Sequence, residues 1–273
     1  MPSSSSCRCS GPISTTRIST RRSGSSPAAS GASGESGVNE PKTGARSAGN
    51  LAPRILSSLV LVPLVLALTW YGGVAYVLLM ISIAAVAFGE WMTVTARTVG
   101  GARAAWIALG LLYVGIPTAG LVLLRIGGPE AWIGIVFIFA IVWATDTAAY
   151  FGGRTIGGPK LWPRISPNKT WSGAVAGLLA GIVAGALVAA ASGAPLVAAA
   201  VLAAVLSVAS QAGDLLESAF KRRFSVKDSG SLIPGHGGVL DRIDGLYGAA
   251  AAAWILSLAG FSGPLFGWSG AAA

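Results

Sequence analysis

From Leu51 onward the chain alternates apolar runs of roughly twenty residues with short polar breaks, and about 20 residues are what a helix needs to cross ~30 Å of hydrocarbon. Seven runs can be marked, at roughly 55–71, 73–92, 104–124, 131–151, 171–191, 195–217 and 245–267. They are too long and too continuous for barrel strands, and backbone groups in lipid must be satisfied within the segment, so each predicts a helix. The expected fold is therefore an all-α polytopic integral membrane protein with about seven transmembrane helices. Within 171–191, Gly173, Gly177, Gly181 and Gly185 recur at four-residue spacing. Such a ridge lets a neighbouring helix pack closely, and it reads as packing rather than chemistry.

Composition removes the alternatives. Of 273 residues, 53% are hydrophobic and 11% charged, with a mean hydropathy of +0.69. Soluble domains run near ~25% charged residues, so a water-soluble globule is excluded. The 38 glycines have no strict period and there are two cysteines, which excludes collagen and a disulfide scaffold. Residues 1–50 hold 14 Ser, 7 Gly and 4 Pro and no Phe, Trp or Tyr. A segment with no apolar face cannot offset the entropy of ordering, so a disordered tail is expected there. A Ser/Arg-rich transit peptide is the rival reading of that tail, and the missing apolar h-region argues against a secretory signal. Cys7 and Cys9 are given no role. Residues 268–273 form a short C-terminal tail.

The cations then set the orientation. With the N-terminus inside, segments 1–54, 93–103, 152–170 and 218–244 hold 18 of the 19 Lys and Arg residues, leaving Arg125 outside. That asymmetry is the positive-inside pattern. Seven of the eight carboxylates after residue 50 fall on the same side, at helix ends or in loops, and Glu130 is the exception. Carboxylates within membrane runs usually face a cavity or a partner, which marks Asp146, Asp214 and Glu217. Glu90, between Phe88 and Trp91, reads instead as an end-of-helix acid reaching interfacial water. Asp214, Glu217 and Lys221 stand at i, i+3 and i+7, on one helical face.

The loop 218–244 reads SAFKRRFSVKDSGSLIPGHGGVLDRID. Lys221, Arg222, Lys227 and Arg242 suit phosphate oxygens. Gly235, Gly237 and Gly238 allow backbone N–H groups to approach a phosphate. Asp241 and Asp244, one turn apart, suit a hard cation such as Mg²⁺. His236 is open between two roles, donor to a leaving group and a loop histidine that fixes the turn. In the loop 152–170, Lys169 and Thr170 precede helix 171–191, whose N-terminus offers free N–H donors and a positive dipole end. Lys160 and Arg164 alone would read as ordinary positive-inside anchors, but beside the loop 218–244 a phosphate role in this loop stays open for them.

At this point the sequence resembles a known family, phosphatidate cytidylyltransferase (CDP-diacylglycerol synthase). The signature Ser218-x-Phe220-Lys221-Arg222, then Lys227-Asp228-x-Gly230, then Ile233-Pro-x-His236-Gly237-Gly238-Val-x-Asp241-Arg242-Ile-Asp244 carries the likeness, with Asp146 to Arg154 and Ser166-Pro-Asn168-Lys169-Thr170 as two further motifs. The likeness spans roughly residues 141–248. It implies N-terminal transmembrane helices over 51–140 and a catalytic transmembrane domain over 141–267. It implies that CTP and phosphatidate, a membrane lipid, yield CDP-diacylglycerol and pyrophosphate on a homodimeric, Mg²⁺-dependent enzyme, with K⁺ as an associated second ion. No nucleic-acid partner is expected. By resemblance Asp214 and Asp241 hold the metal, with Asp244 as a helper, and Lys169 serves the substrate site. Asp146, Arg154, Ser166, Asn168, Thr170, Ser218, Gly237 and Gly238 are the expected substrate-binding residues.

The phosphomonoester of the lipid has a second pKa near ~6, so it can attack the α-phosphorus of CTP without a dedicated base. Lys169, Lys221, Arg222, Lys227, His236 and Arg242 are the residues expected to act on the reacting phosphates. Rival readings are an ion-coupled transporter, a CDP-alcohol phosphatidyltransferase, and a CTP-using lipid kinase or archaeal-type lipid cytidylyltransferase. The acids cluster at one end of their helices, away from the midplane where carrier sites lie. The Asp-Gly-x-x-Ala-Arg core of the phosphatidyltransferases is missing, since Asp244-Gly245 is followed by Leu246-Tyr247-Gly248-Ala249. A bacterial plasma membrane, with the site on its cytoplasmic side, is the expected location.

Overall fold

The structure is a computed structural model that describes residues 51–128, 130–230 and 237–260, with side chains from Leu59 onward. Its helices are α1 Leu51–Tyr71, α2 Gly73–Val94, α3 Gly100–Ile126, α4 Trp132–Thr155, α5 Trp171–Ser192, α6 Leu196–Arg223 and α7 Leu240–Leu258. Five of them, α2 to α6, are long and apolar enough to cross a bilayer. In α1 the part with described side chains, Leu59–Tyr71, is a shorter apolar stretch. The first turns of α7 carry Asp241, Arg242 and Asp244, and the expected run 245–267 passes beyond the described residues after Gly260. Among the described residues, five of the seven expected spans thus show the length and apolarity to cross a bilayer. The tail expected over 1–50, and the C-terminal tail, lie outside the described residues.

The bundle is helical as expected, with one short addition. Between α4 and α5 the chain forms a short antiparallel hairpin, β1 Lys160–Trp162 and β2 Ser166–Thr170, with Lys160 opposite Thr170 and Trp162 opposite Ser166. Helix cannot continue there, because Gly157 and Gly158 take φ of +67° and +99° and Pro159, Pro163 and Pro167 lack the N–H that a helix interior needs. The loop limits also shift. Helix α4 runs on to Thr155 and α6 to Arg223, while α7 already starts at Leu240, so Arg154, Ser218, Lys221, Arg222, Asp241, Arg242 and Asp244 are helical residues rather than loop residues. The run of Lys221, Arg222 and Arg223 in the last turn of α6 suits the negative end of its dipole.

Helix α4 is the centre of the bundle, with Ile135, Phe137, Ile138 and Ile141 fully buried. Its tightest neighbour is α5, and the glycine ridge makes the contact, since Gly173, Gly177, Gly181 and Gly185 are all buried. A Cβ on Gly177 would stand 2.8 Å from the Thr145 carbonyl oxygen, and one on Gly173 2.7 Å from that of Ala149. The packing reading of this ridge is what the structure shows. A second, aromatic core joins α2, α3, α6 and α7, where Trp91 stacks on Phe220 with ring centroids 3.9 Å apart.

Candidate functional site

One end of α4, the hairpin, the start of α5 and the middle of α6 enclose a cavity of about 660 Å³. Its walls include Asp146, Arg154, Asn168, Lys169, Thr170 and Asp214, six of the residues expected from the sequence. Three hydrogen bonds and an ion pair fix this wall. Thr170, at the α5 N-cap, accepts from the Gly173 N–H at 3.1 Å. That leaves Lys169, one residue earlier, at the helix N-terminus, where it forms an ion pair with Asp214. On α4, Arg154 donates to the Tyr150 hydroxyl at 2.8 Å, one turn back. Gln211, one turn ahead of Asp214, donates to the Ala174 carbonyl at 3.3 Å and ties α6 to α5.

Asp214 and Asp146 lie close enough to Asp244 for their charges to act on it, as does Lys169. Asp244 also accepts from the Gly245 N–H at 2.8 Å. Asp146 and Asp214 line the cavity with Lys169, and Asp244 lies within electrostatic range of all three without lining it.

A second cluster stands one turn along α6. Lys221 lies 2.7 Å from Glu217 and 2.9 Å from Asp241, bridging both carboxylates. Asp241 is held further by the Ser229 N–H at 3.0 Å and the Gly238 N–H at 3.0 Å. The Gly238 amide, expected at a phosphate, is thus bonded to a carboxylate of its own chain. Arg222 donates to the Ile165 carbonyl at 3.2 Å and so tethers the hairpin to α6. Lys227 and Arg242 are exposed, while Ser166 and Ser218 are half-buried and absent from the cavity wall. Gly237 takes φ of +78° beside Asp241. His236 and Gly235 lie outside the described residues.

The structure therefore brings Asp214 together with Asp244 and Asp146, and places Asp241 with Lys221 and Glu217. Among the described residues no three carboxylate, imidazole or thiol side chains converge into a cage for a metal ion. The donor chemistry nevertheless fits Mg²⁺, which is ordinarily held by one or two carboxylates together with substrate phosphates and water, and Asp214, with Asp146 on the same wall and Asp244 within electrostatic range, offers hard oxygens.

Glu90 is the clearest correction. Rather than reaching interfacial water, it is 8% exposed and accepts hydrogen bonds from the Ser229 hydroxyl at 3.1 Å, the Val239 N–H at 2.9 Å and the Leu240 N–H at 2.8 Å. Nothing local marks it, because its partners are 139 to 150 residues away. Lys160, left open between an anchor and a phosphate role, lines the cavity with Tyr150 and Gln211. Its position beside Thr170 in the hairpin register was the missing signal.

Fold and site together define a polytopic membrane protein with a cavity of mixed cations and carboxylates at one end of its helices. Comparison with known proteins narrows that class. Residues 98–259, well over half of the chain, match the model of the cytidylyltransferase family. The chain is 43% identical to the phosphatidate cytidylyltransferase of Brucella suis, a match covering 74% of this chain and 91% of that protein. It is 40% identical to that of Rickettsia bellii, covering 72% and 86%, and 36% identical to that of Rickettsia felis, covering 77% and 93%. The chain belongs to the cytidylyltransferase family and is a nucleotidyltransferase.

Proposed function

We propose that this protein is a CTP:phosphatidate cytidylyltransferase, acting with Mg²⁺ on the cytoplasmic side of a bacterial plasma membrane. The observation that carries the reading is the cavity itself, which gathers Arg154, Lys160 and Lys169 with Asp146 and Asp214 among membrane-length helices and the hairpin. The concentration of 18 of 19 cations in segments on one side supports the cytoplasmic placement. Lipid tails need no pocket in such a protein, since a headgroup can enter from the bilayer while its chains stay there.

In this reading an oxygen of the lipid phosphate bonds to the α-phosphorus of CTP, the α–β phosphoanhydride bond breaks, and pyrophosphate leaves with the electron pair. The attacking oxygen is already anionic at neutral pH, given a second phosphate pKa near ~6. What remains for the protein is positioning and charge neutralisation. Lys169, Lys160 and Arg154 serve the phosphates, and the N–H groups at the start of α5 add a positive dipole end. Asp214 and Asp244, with Asp146 beside them, would hold Mg²⁺, which supplies further neutralisation of the triphosphate. K⁺ is the candidate second ion at the same oxygens. Asp241, engaged by Lys221, Ser229 and Gly238, fits best as the residue that orients the start of α7 beside that pair.

The test supplies CTP labelled at either the α or the γ phosphorus to purified protein with phosphatidate and Mg²⁺. Label from the α position is expected in lipid, with release of pyrophosphate. Entry of γ label, or of neither, rejects the reading, the former in favour of a lipid kinase. Asp214→Asn is expected to lower turnover about a hundredfold or more, the scale of losing one preorganised electrostatic group. Near-normal turnover removes Asp214 from the site.

A further inference from the structure

Glu90 lies on α2, ahead of residues 98–259 that match the family, and contributes nothing to the cavity wall. Its carboxylate is nonetheless spent on the segment that carries Asp241. One oxygen accepts from the Val239 N–H, and the other from the Leu240 N–H and the Ser229 hydroxyl. Ser229 and Val239 stand on opposite sides of residues 231–236, so this one side chain joins both flanks of that stretch. Asp241 grips the same two flanks through the Ser229 and Gly238 amides. Ser229 is shared, its hydroxyl going to Glu90 and its amide to Asp241. Leu240 is the residue directly before Asp241, so any rotation of the α7 N-terminus off Glu90 moves Asp241, and with it Asp244 one turn on.

The close fit supports this. A Cβ on Gly230 would stand 2.5 Å from Glu90 Oε1, so the chain at this glycine lies directly against the carboxylate. The neighbouring Trp91 stacks on Phe220, with rings 7° from parallel, which fixes the same end of α2 against the last turns of α6 beside Lys221. A buried carboxylate facing free helix N–H donors is also favourable on electrostatic grounds.

We propose that Glu90 is a positioning residue: it holds the α7 N-terminus so that Asp244 stays opposite Asp214 and Asp241 stays on Lys221. The kinetic part of this inference rests on the cytidylyltransferase reading. Glu90→Gln is the informative change, because the amide keeps the shape yet turns an NH₂ donor toward a backbone N–H. Hydrogen exchange of the purified protein is expected to quicken in peptides covering 226–230 and 237–244 and to stay at the parent rate across α5. With CTP and phosphatidate, kcat is expected to fall about tenfold to a hundredfold, the equivalent of one charged hydrogen bond lost. The Mg²⁺ half-saturation is expected to rise, with KM for phosphatidate near the parent value. Glu130→Gln, which removes a carboxylate elsewhere, should behave as the parent. Ser229→Ala, which removes one bond and spares the backbone contacts, should show the same signature more weakly, and it decides the matter if Glu90→Gln yields no folded protein. Parent-like exchange in 237–244 overturns the proposal. So does a variant that loses active protein while its remaining molecules keep the parent kcat and Mg²⁺ dependence. An inactive parent rejects the activity reading alone, and the exchange comparison then decides the role of Glu90.

Discussion

Lys221 offers the sharpest quantitative test of how this structure holds its charges. Its side chain is 18% exposed, and its ammonium group stands between the side chains of Glu217, 1% exposed, and Asp241, 10% exposed. At 2.7 and 2.9 Å, each pair is worth about 6 kcal/mol of gross attraction at an effective dielectric constant of about 20, before desolvation is subtracted. Lys221→Met keeps the stem and deletes the charge. Removing one partner of a buried pair costs about 3–5 kcal/mol, because the other charge is left uncompensated. At about 2–4 °C per kcal/mol for a chain of this size, the midpoint should fall by about 6–20 °C. The assay is the fraction of detergent-solubilised protein that remains monodisperse after heating, read by fluorescence-detected gel filtration. Adding Glu217→Gln to Lys221→Met removes the more buried orphan charge, so the double variant should recover part of the loss. Asp241, still held by two backbone N–H groups, keeps it from full recovery. A single variant melting with the parent, or a double variant melting below the single one, would refute the buried bridge as described.

Two further changes probe the scaffold by the same heating assay. Gly177→Ala gains about 1 kcal/mol of helix propensity but forces a methyl group against the Thr145 carbonyl, an overpacking cost of about 1–3 kcal/mol, and so should lower the midpoint. Gly115→Ala, with nothing within 4 Å of the new Cβ, should raise it, and the reverse order would contradict the α4–α5 contact. Arg125→Leu should destabilise by about 1.5–3 kcal/mol per charged hydrogen bond lost, since Arg125 donates to the Thr69 and Trp70 carbonyls at 2.6 and 2.8 Å. An unchanged midpoint would mean that this cap is dispensable.

Legibility followed the range of the interactions. Apolar runs report each helix locally, so the boundaries of α2 and α5 were readable within two residues, and the i, i+3, i+7 face of Asp214, Glu217 and Lys221 follows from helix geometry alone. Lys169 and Thr170 were readable because a helix start and its cap are local events. The hairpin was hidden, since three residues of β1 are too few to show an alternation. Arg125 looked like a lone cation on the far side, yet it is 9% exposed and caps the end of α1, a contact 55 to 56 residues away in sequence. Glu90 was misread for the same reason. The pairing of acids was hidden too, because Asp241 and Asp244 sit in one motif but belong to different clusters.

Backbone contact between α6 and α7 explains that split. A Cβ on Gly213 would stand 2.5 Å from the Asp244 carbonyl oxygen and 3.0 Å from the Gly248 Cα, and one on Gly245 2.8 Å from the Ser210 hydroxyl. Helices that touch through their backbones leave the flanking side chains little freedom of register, so Asp214 is bound to face Asp244 and Lys221 to face Asp241. Three residues separate Asp241 from Asp244 and Asp214 from Glu217, a rise of roughly 4.5 Å on each helix, which stacks the charges in two tiers. In the tier of Glu217, Asp241 and Lys221 one cation meets two acids, and two backbone N–H groups also bond Asp241. In the tier of Asp146, Asp214 and Asp244, Lys169 pairs with Asp214, and the cavity that opens beside them adds Arg154 and Lys160. Carboxylates and cations thus meet where a ligand can enter, and that is the tier to which we assign the divalent cation and the triphosphate it neutralises.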